Sequence, residues 1–299
     1  SRYAKTSDEL ERFFQATFYG HQYGAHTLRP TLANTMDFLT SEDFIRRRGN
    51  KLFPTPFGQR TSELYIDPVS AILIKKTLSS GKGGTSTLPY LHLVALCPDM
   101  PKLYIRRGER EKLTARLTED EHELFIQPPD EEDEVEFEDY LASLKVAYLL
   151  SEWVEEQPED VLVRSFDVGS GDIYSLTESG EWLINATYEL ARLFELKEHL
   201  SPVSALATRI HYGVKAELLP LVELRGIGRV RARNLFSAGF RSIRDLSKAR
   251  FSQLISVPSI GAEVARSMME QLGVAMSKDE EELASHIERA RQHKLREFT

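Results

Sequence analysis

The chain has 299 residues, 41% of them hydrophobic and 28% charged, which is typical of a folded globular protein with two or three domains. Its 46 acidic side chains outnumber its 38 basic ones, and a net charge of −8 excludes general stickiness toward nucleic acid, so any contact with a polyanion must be localised. The single cysteine, Cys97, excludes an internal disulfide and fits a reducing compartment, and no apolar run approaches the length of a membrane span.

The N-terminal region is predicted to be a small domain of helices followed by a hairpin. Thr6 or Ser7 can cap a first helix, and Pro30 is expected to open a second one. The first residue is Ser1 and no signal peptide is evident, so we expect the sequence to be a fragment of a longer protein.

The hairpin is predicted from FIRRRGNKLFP, Phe44 to Pro54, which alternates apolar and polar residues about the turn pair Gly49-Asn50. Helices followed by a basic two-stranded wing describe a winged helix. Its possible phosphate contacts are four basic residues, namely Arg46, Arg47, Arg48 and Lys51. The alternative is a wing with a purely structural role.

The loop from Ser79 to Thr87 resembles a phosphate-binding loop only superficially. It contains GKGGTS, but Lys82 is followed by Gly83, and a helix capped by Asp67 comes before the loop where a P-loop has a strand. We interpret it as a linker. No other nucleotide-binding signature occurs, and we expect no ATP hydrolysis by this chain alone.

The segment DEEDEVEFED, residues 130–139, carries eight acids in ten positions. Acidic residues are favourable at the positive end of a helix, and we expect this run to open a long helix that continues to Pro158. The alternative is a divalent metal site, for which the run lacks spaced ligands.

A second long helix is expected from a cap at Asp172 to about Leu196. Its core stripe recurs every three or four positions and comprises Leu176, Gly180, Leu183, Thr187, Leu190 and Phe194. Trp182 points about 120° away from that stripe. It either packs under a neighbouring domain, which the residues alone favour, or offers its ring to a base for stacking.

The stretch from Leu218 to Phe240, LLPLVELRGIGRVRARNLFSAGF, predicts a helix-hairpin-helix. Gly226 and Gly228 permit close approach of the backbone, and their amides with the following helix N-terminus suit a phosphate group. Ile227 is expected to fix the turn to the core. Such a motif binds the nucleic-acid backbone without reading bases.

The charge of this stretch supports that interpretation. Residues 221–250 contain eight basic and two acidic residues, a net of +6 in an acidic chain. Arg229, Arg231 and Arg233 follow the turn directly, although merely solvated arginines are the alternative. Leu254 to Leu272 repeats the hairpin pattern with Ser259 in place of the first glycine, and a charged helical tail from Ser277 to Thr299 is expected to follow.

The order of these parts resembles a known family. The segments that carry the resemblance, over roughly residues 6–272, are TFYGHQYG, SELYIDPVSA, LHLVALCPDM, GEWLINA and ELLPLVELRGIGRVRARNLFSAGF. They are similar to the C-terminal portion of archaeal HELQ-like (Hjm-type) DNA helicases, Ski-two-like members of helicase superfamily two. The resemblance implies a mostly α-helical chain with a winged helix (1–66), a helical ratchet domain (67–200) and a helix-hairpin-helix domain with a charged tail (201–299).

The resemblance also implies roles for individual residues. The family's ratchet tryptophan stacks on translocating single-stranded DNA, and Trp182 matches it, which shifts our expectation from packing to stacking. A DNA-contacting arginine of the family is replaced here by Ser175. The family's terminal arginine motif matches Arg229, Arg231 and Arg233, which are expected to grip the exiting strand and restrain the motor.

The function expected from the resemblance is that of the DNA-binding part of an ATP-dependent 3′-to-5′ helicase that acts on forked or stalled replication substrates. ATP and Mg²⁺ would belong to absent motor domains, and this chain itself needs no cofactor. Expected partners are single-stranded or forked DNA, the motor domains of the same protein and replication or repair proteins, in the cytoplasm and nucleoid rather than at a membrane. The alternatives are a protein–protein scaffold and the C-terminal unit of an RNA helicase.

Overall fold

The computed structural model describes residues 5–80 and 86–297, except for the side chains of residues 25 and 288–297. The mostly α-helical fold is confirmed, since the described residues contain a single two-stranded sheet among their helices. Residues 81–85, the centre of the predicted GKGGTS linker, lie outside this description.

The chain divides into two compact units. The first comprises Ser1–Val146 and Trp182–Val203, and the second comprises Ala147–Glu181 and Ser204–Thr299. The elements wholly within the first unit are α1 (Ser7–Gln15), α2 (Phe18–Ser41), β1 (Ile45–Arg48), β2 (Lys51–Pro54), α3 (Pro56–Leu64), α4 (Pro68–Leu78), α5 (Leu88–Leu96) and α6 (Arg110–Asp120), with a short 3₁₀ turn at Glu121–Glu123.

Three helices have residues in both units, and the remaining elements belong to the second. The three are α7 (Glu134–Val154), α9 (Ser170–Leu193) and α10 (Lys197–Tyr212). The elements of the second unit are α8 (Glu159–Phe166), a 3₁₀ turn (Ala216–Leu218), α11 (Leu219–Val222), α12 (Arg229–Ser237), α13 (Ile243–Leu246), α14 (Phe251–Ile255), α15 (Ala262–Gln271) and α16 (Lys278–Glu297).

The N-terminal helices and the wing form as local sequence rules require. Thr6 caps α1 by a capping box with Glu9. The antiparallel hairpin pairs Arg48 with Lys51 around the turn, and Gly49 adopts the left-handed φ of +57° that glycine permits. The predicted hairpin about Gly49-Asn50 is therefore confirmed.

The predicted start of the second helix at Pro30 is wrong. The helix α2 begins at Phe18 because the Thr17 hydroxyl accepts a hydrogen bond from the amide of Gly20, and Gly24, with φ +71° and ψ +171°, interrupts it. Pro30 lies inside the second part of this helix. The helical segment that contains Pro30 follows the left-handed Gly24, so the glycine and not the proline precedes its start.

The bounds of two long helices also differ from expectation. The helix α9 begins at Ser170, so Asp172 lies in its first turn and reaches back to accept the amide of Gly169 at 2.8 Å. The helix α9 ends at Leu193. The helix α7 ends at Val154, and two residues later Glu156 adopts a left-handed φ of +65°. Of the predicted core stripe of α9, all residues except the half-buried Phe194 are buried.

The core of the second unit lies between the two predicted hairpins. Its fully buried side chains include Leu221, Leu235, Leu246, Leu254 and Met268, one from each of five short helices. These helices are too short to be stable alone. Their shared apolar core is therefore what holds both hairpin turns in place.

Candidate nucleic-acid interface

The first hairpin turn joins α11 to α12 through Gly226-Ile227-Gly228. Ile227 is 1% exposed, and its amide donates to the carbonyl of Leu224 at 3.0 Å. Gly226 has φ +82°, a left-handed conformation that glycine adopts without strain. The prediction that Ile227 fixes the turn to the core is confirmed.

The outer side of this turn is open. A side-chain carbon added at Gly226 or at Gly228 would meet no atom of the described residues within 4 Å. No side chain caps α12 in this part of the chain, which leaves the amides of its first turn at the positive end of the helix. Such a turn is shaped to accept an anion.

Arg229 is already engaged inside the second unit. Its Nη2 donates to the carbonyl of Gln157 at 2.7 Å, and its guanidinium lies 4.9 Å from the ring centre of Trp153. Burial lowers the pKa of Arg229 from its ordinary value. This arginine therefore packs α12 against the last turn of α7 and the residues that follow it, and part of its charge is shielded from solvent.

Arg231 connects the two hairpin turns. Its Nη1 donates to the carbonyl of Gly226 at 2.6 Å, and its Nε donates to the carbonyl of Ser259 at 3.2 Å. Asn234, one helical turn further along α12, donates to the Ser259 hydroxyl and to the carbonyl of Pro258, both at 3.0 Å. Together these side chains clasp one turn to the other.

Arg233 forms two ion pairs. It contacts Glu156 at 2.6 Å and Glu217 at 2.7 Å. Although burial lowers its pKa, the hydrogen bonds to Glu217 and Glu156 raise it overall. All three arginines after the turn thus have partners within the second unit, and none of them projects as a merely solvated side chain.

The second turn repeats the first in backbone form. Ser259 has φ +65° where the first turn has Gly226, Ile260 is 3% exposed, and Gly261 precedes α15 as Gly228 precedes α12. Unlike Gly226, however, Ser259 carries a side chain, which Asn234 binds.

Trp182 belongs to the first unit and lies off the core stripe, as predicted. Its side chain is 36% exposed, whereas the next two residues, Leu183 and Ile184, are fully buried. Its indole N–H donates to the carbonyl of Leu64 at 3.0 Å, at the end of α3. The ring is therefore held at one edge and partly open to solvent.

The wing arginines have neighbours of their own. Arg46 pairs with Asp43 at 3.3 Å, Arg47 pairs with Asp37 at 3.0 Å, and Arg48 lies 5.9 Å from the ring centre of Phe53. Exposed ion pairs of this kind are weak and can exchange for phosphate. Lys51 and Arg48 pair across the hairpin and both are exposed.

The acidic run opens α7 as expected. Asp133 accepts the amide of Glu136 at 3.1 Å, and Glu138 pairs with Arg110 at 3.2 Å. Among the described residues, no group of three or more His, Cys, Asp or Glu side chains is arranged to hold a metal ion. In the same part of the chain, no helix is both long and apolar enough to cross a membrane.

Sequence reasoning missed the residues that hold α12. Trp153 receives Arg229 and donates its indole N–H to the carbonyl of Ile210 at 2.8 Å. A side-chain carbon at Gly213, which has φ +63°, would lie 2.6 Å from the Trp153 ring. A glycine just after a helix was the one local signal of this contact, and Glu156 gave none.

Two segments of the chain match known protein families. Residues 88–213 match the family described as archaeal helicase, domain 4, and residues 218–273 match the SAM-like helix-hairpin-helix tandem. The second match covers both hairpin turns and the clasp between them.

Whole-protein relatives give the same result. ATP-dependent DNA helicase Hel308 of Caldivirga maquilingensis is 37% identical over 91% of this chain, and that of Methanocella arvoryzae is 36% identical over 91%. The Thermococcus kodakarensis helicase of the same name is 36% identical over 92% of the chain. The chain spans only 38%, 37% and 24% of the length of these three relatives. The resemblance predicted from the sequence is therefore confirmed, since the chain is similar over about nine tenths of its length to the C-terminal portion of an archaeal Hel308/HELQ-type helicase.

Proposed function

We propose that this chain is the DNA-binding C-terminal part of an ATP-dependent 3′-to-5′ DNA helicase that acts on forked or stalled replication substrates. The observation that carries the proposal is the similarity to helicases over nine tenths of the chain, together with an open helix-hairpin-helix turn. ATP and Mg²⁺ would bind the motor domains, which correspond to the part of the relatives that this chain does not span.

Trp182 is proposed to stack on a base of single-stranded DNA. The hydrogen bond from its N–H to Leu64 fixes one edge of the ring, and the exposed fraction offers surface to a ligand. A ring fixed in advance loses little conformational freedom on binding. The family's second ratchet contact is an arginine, and Ser175 is too short to replace it.

The first hairpin turn is proposed to bind a phosphate of the same or the exiting strand. The amides at Gly226 and Gly228 supply donors without a covering side chain. Each of Arg229, Arg231 and Arg233 uses some of its five N–H donors for bonds within the chain. The remaining donors would be available to bind the phosphate. Arg46, Arg47, Arg48 and Lys51 on the wing are secondary candidates for duplex contact.

Trp182→Ala tests the proposal, with Trp182→Phe as the matched control. The alanine variant should weaken binding of a single-stranded oligonucleotide by about 1–3 kcal/mol, because it removes one base–aromatic stack. The phenylalanine variant should retain most of the affinity because it keeps a ring that can stack on a base, although it loses the hydrogen bond to Leu64. Fluorescence anisotropy at one stated salt concentration measures both.

The alanine variant melting many degrees lower with unchanged affinity would contradict stacking and make Trp182 a packing residue. A chain that hydrolyses ATP above a no-protein blank would contradict the assignment of ATP to absent motor domains. Fusion to a matching motor should yield unwinding of forked DNA.

The rival function is a protein–protein scaffold, and the internal engagement of all three arginines favours it. An RNA helicase unit is the third possibility, because stacking and backbone contacts do not distinguish the two nucleic acids. Parallel titrations with single-stranded DNA, single-stranded RNA and duplex DNA separate these functions. A scaffold would bind none of the three.

A further inference from the structure

The segment that connects the two hairpins, Arg241–Arg250, carries a basic face that neither turn uses. Its buried side is apolar, since Leu246 is fully buried and Ala249 is 7% exposed in the core of the second unit. Arg244 lies in α13, Lys248 lies in the turn that follows it, and both side chains are exposed. The connector is thus amphipathic, with a cationic outer face.

This face differs from the arginines after the first turn in how its charges are used. Within the described residues, the side chains of Arg244 and Lys248 form no ion pair or hydrogen bond. Arg241 lies 5.3 Å from the ring centre of Phe236, an arrangement that leaves the rim of a guanidinium able to donate. The cations of the connector therefore remain available to pair with an external anion.

The one carboxylate in the connector is largely occupied by its own segment. Asp245 accepts the hydroxyl of Ser242 at 2.8 Å and the amide of Arg241 at 3.1 Å. The hydrogen bond from Ser242 and that from the Arg241 amide lower the pKa of Asp245, with a smaller contribution from the charge of Lys248. Asp245 thus braces the start of α13, which Ser242 caps, and within the described chain it forms no ion pair with Arg244 or Lys248.

We propose that the exposed face formed by Arg241, Arg244 and Lys248 binds the phosphate backbone of a nucleic acid, as a contact separate from the first hairpin turn. The proposal rests on the proposed function, since it names a further part of the same binding surface. Cations that neutralise phosphates release the counterions condensed on the nucleic acid. Arg229, Arg231 and Arg233 are each partly buried and already bonded within the second unit, so we expect them to neutralise fewer phosphates than the exposed cations of the connector. The connector rather than the arginines after the turn then supplies most of the salt-dependent affinity.

The test compares Arg244→Ala/Lys248→Ala with Arg107→Ala/Lys112→Ala in the full chain. The control pair removes the same charge from two exposed residues of the first unit. For single-stranded DNA, the plot of log affinity against log salt should flatten by about 1.4 in the connector variant, about 0.7 for each phosphate that is no longer neutralised. The control should leave the slope unchanged, and melting temperatures of both variants should match the parent chain.

The outcomes separate this inference from the function on which it rests. If the parent chain binds no nucleic acid, the proposed function fails. If the parent binds and the connector variant has the parent's salt slope, the inference is overturned, and Arg229→Ala/Arg233→Ala then shows whether the arginines after the turn supply that slope instead. Arg244→Lys/Lys248→Arg, which keeps both charges, should restore the slope if the inference holds.

Discussion

The two hairpin turns of the second unit share a backbone and differ in what they leave available. Each has a left-handed first residue, a buried isoleucine and a glycine that begins the next helix. At the first position, Gly226 carries no side chain, whereas the Ser259 hydroxyl binds Asn234, and the carbonyls of both residues accept a hydrogen bond from Arg231. The first turn therefore has no side chain at its first position, and the second turn has one that is bonded to α12.

This difference shows that two copies of one motif can share a backbone conformation and still present different surfaces. A helix-hairpin-helix needs a buried anchor and a left-handed turn in order to fold, but it needs exposed amides only in order to bind. The two requirements involve different atoms of the same three residues. The second copy meets the first requirement, and it differs from the first copy by the bonded side chain of Ser259.

The largest expected effect breaks the feature that the turns share. Ile227→Ala and Ile260→Ala should each lower the free energy of unfolding by about 2–5 kcal/mol, because each removes a buried aliphatic side chain. Urea unfolding of the two variants measures the loss. Costs below about 1 kcal/mol for either variant would show that its turn is not anchored in the core.

A smaller loss is expected when the clasp between the turns is cut. Arg231→Ala should cost about 0.5–1.5 kcal/mol, since it removes the hydrogen bonds to the solvent-exposed carbonyls of Gly226 and Ser259, which water can then satisfy. Arg225→Ala is the control, because its side chain is exposed and, among the residues that the structure describes, only its backbone is bonded, to Gln271. Equal unfolding midpoints for the two variants would contradict the clasp.

Exchanging the distinguishing residues should sharpen the comparison. Gly226→Ser should cost about 1–2 kcal/mol of stability, because a side chain is strained at φ +82°, and it should also weaken nucleic-acid binding. Ser259→Gly should relieve comparable strain, lose the bond from Asn234 and leave affinity unchanged. If the serine variant binds as tightly as the parent, the first turn is not a phosphate site.

The smallest expected effect is a loss of local stability at acidic pH. The hydrogen bonds that Glu280 accepts from the amides of Ser277 and Phe251 lower its pKa below 4.5. A depressed carboxylate pKa contributes stability above the ordinary value of 4.5, and this contribution is lost as pH falls through the lower folded value. The second hairpin, which Phe251 begins through α14, should therefore loosen in acid before the first.

Hydrogen exchange near pH 5 and near pH 3, corrected for intrinsic rates, measures that loosening at Phe251 and at Ile227. Glu280→Gln should abolish the pH difference at Phe251 while leaving Ile227 unaffected. The same pH response in the glutamine variant would assign the loosening to another group.

Local chemistry predicted much of this fold. The caps at Thr6 and Asp67, the Gly49-Asn50 turn and the core stripe of α9 all follow from residues within a few positions of one another. Helix starts were wrong where two local signals competed, as at Pro30 and Asp172. In both places the helical segment begins before the predicted residue.

The partners of the arginines could not be predicted in the same way. Arg233 and Glu156 are 77 positions apart, and Arg229 and Gln157 are 72 apart. Periodicity and spacing describe neighbours along a helix, and they carry no information about such a distant pair. The sequence therefore predicted where the positive charge lies but not that most of it beside the first turn is already paired.

The two tryptophans have a practical consequence for experiment. The sequence contains only these two, and they fall in different units, with the ring of Trp153 under the guanidinium of Arg229 and that of Trp182 partly open to solvent. Their intrinsic fluorescence should therefore differ in accessibility to a soluble quencher such as acrylamide. Replacing Trp153 with phenylalanine would leave Trp182 as the one tryptophan. Its fluorescence intensity would then report on any ligand that contacts the exposed part of its ring.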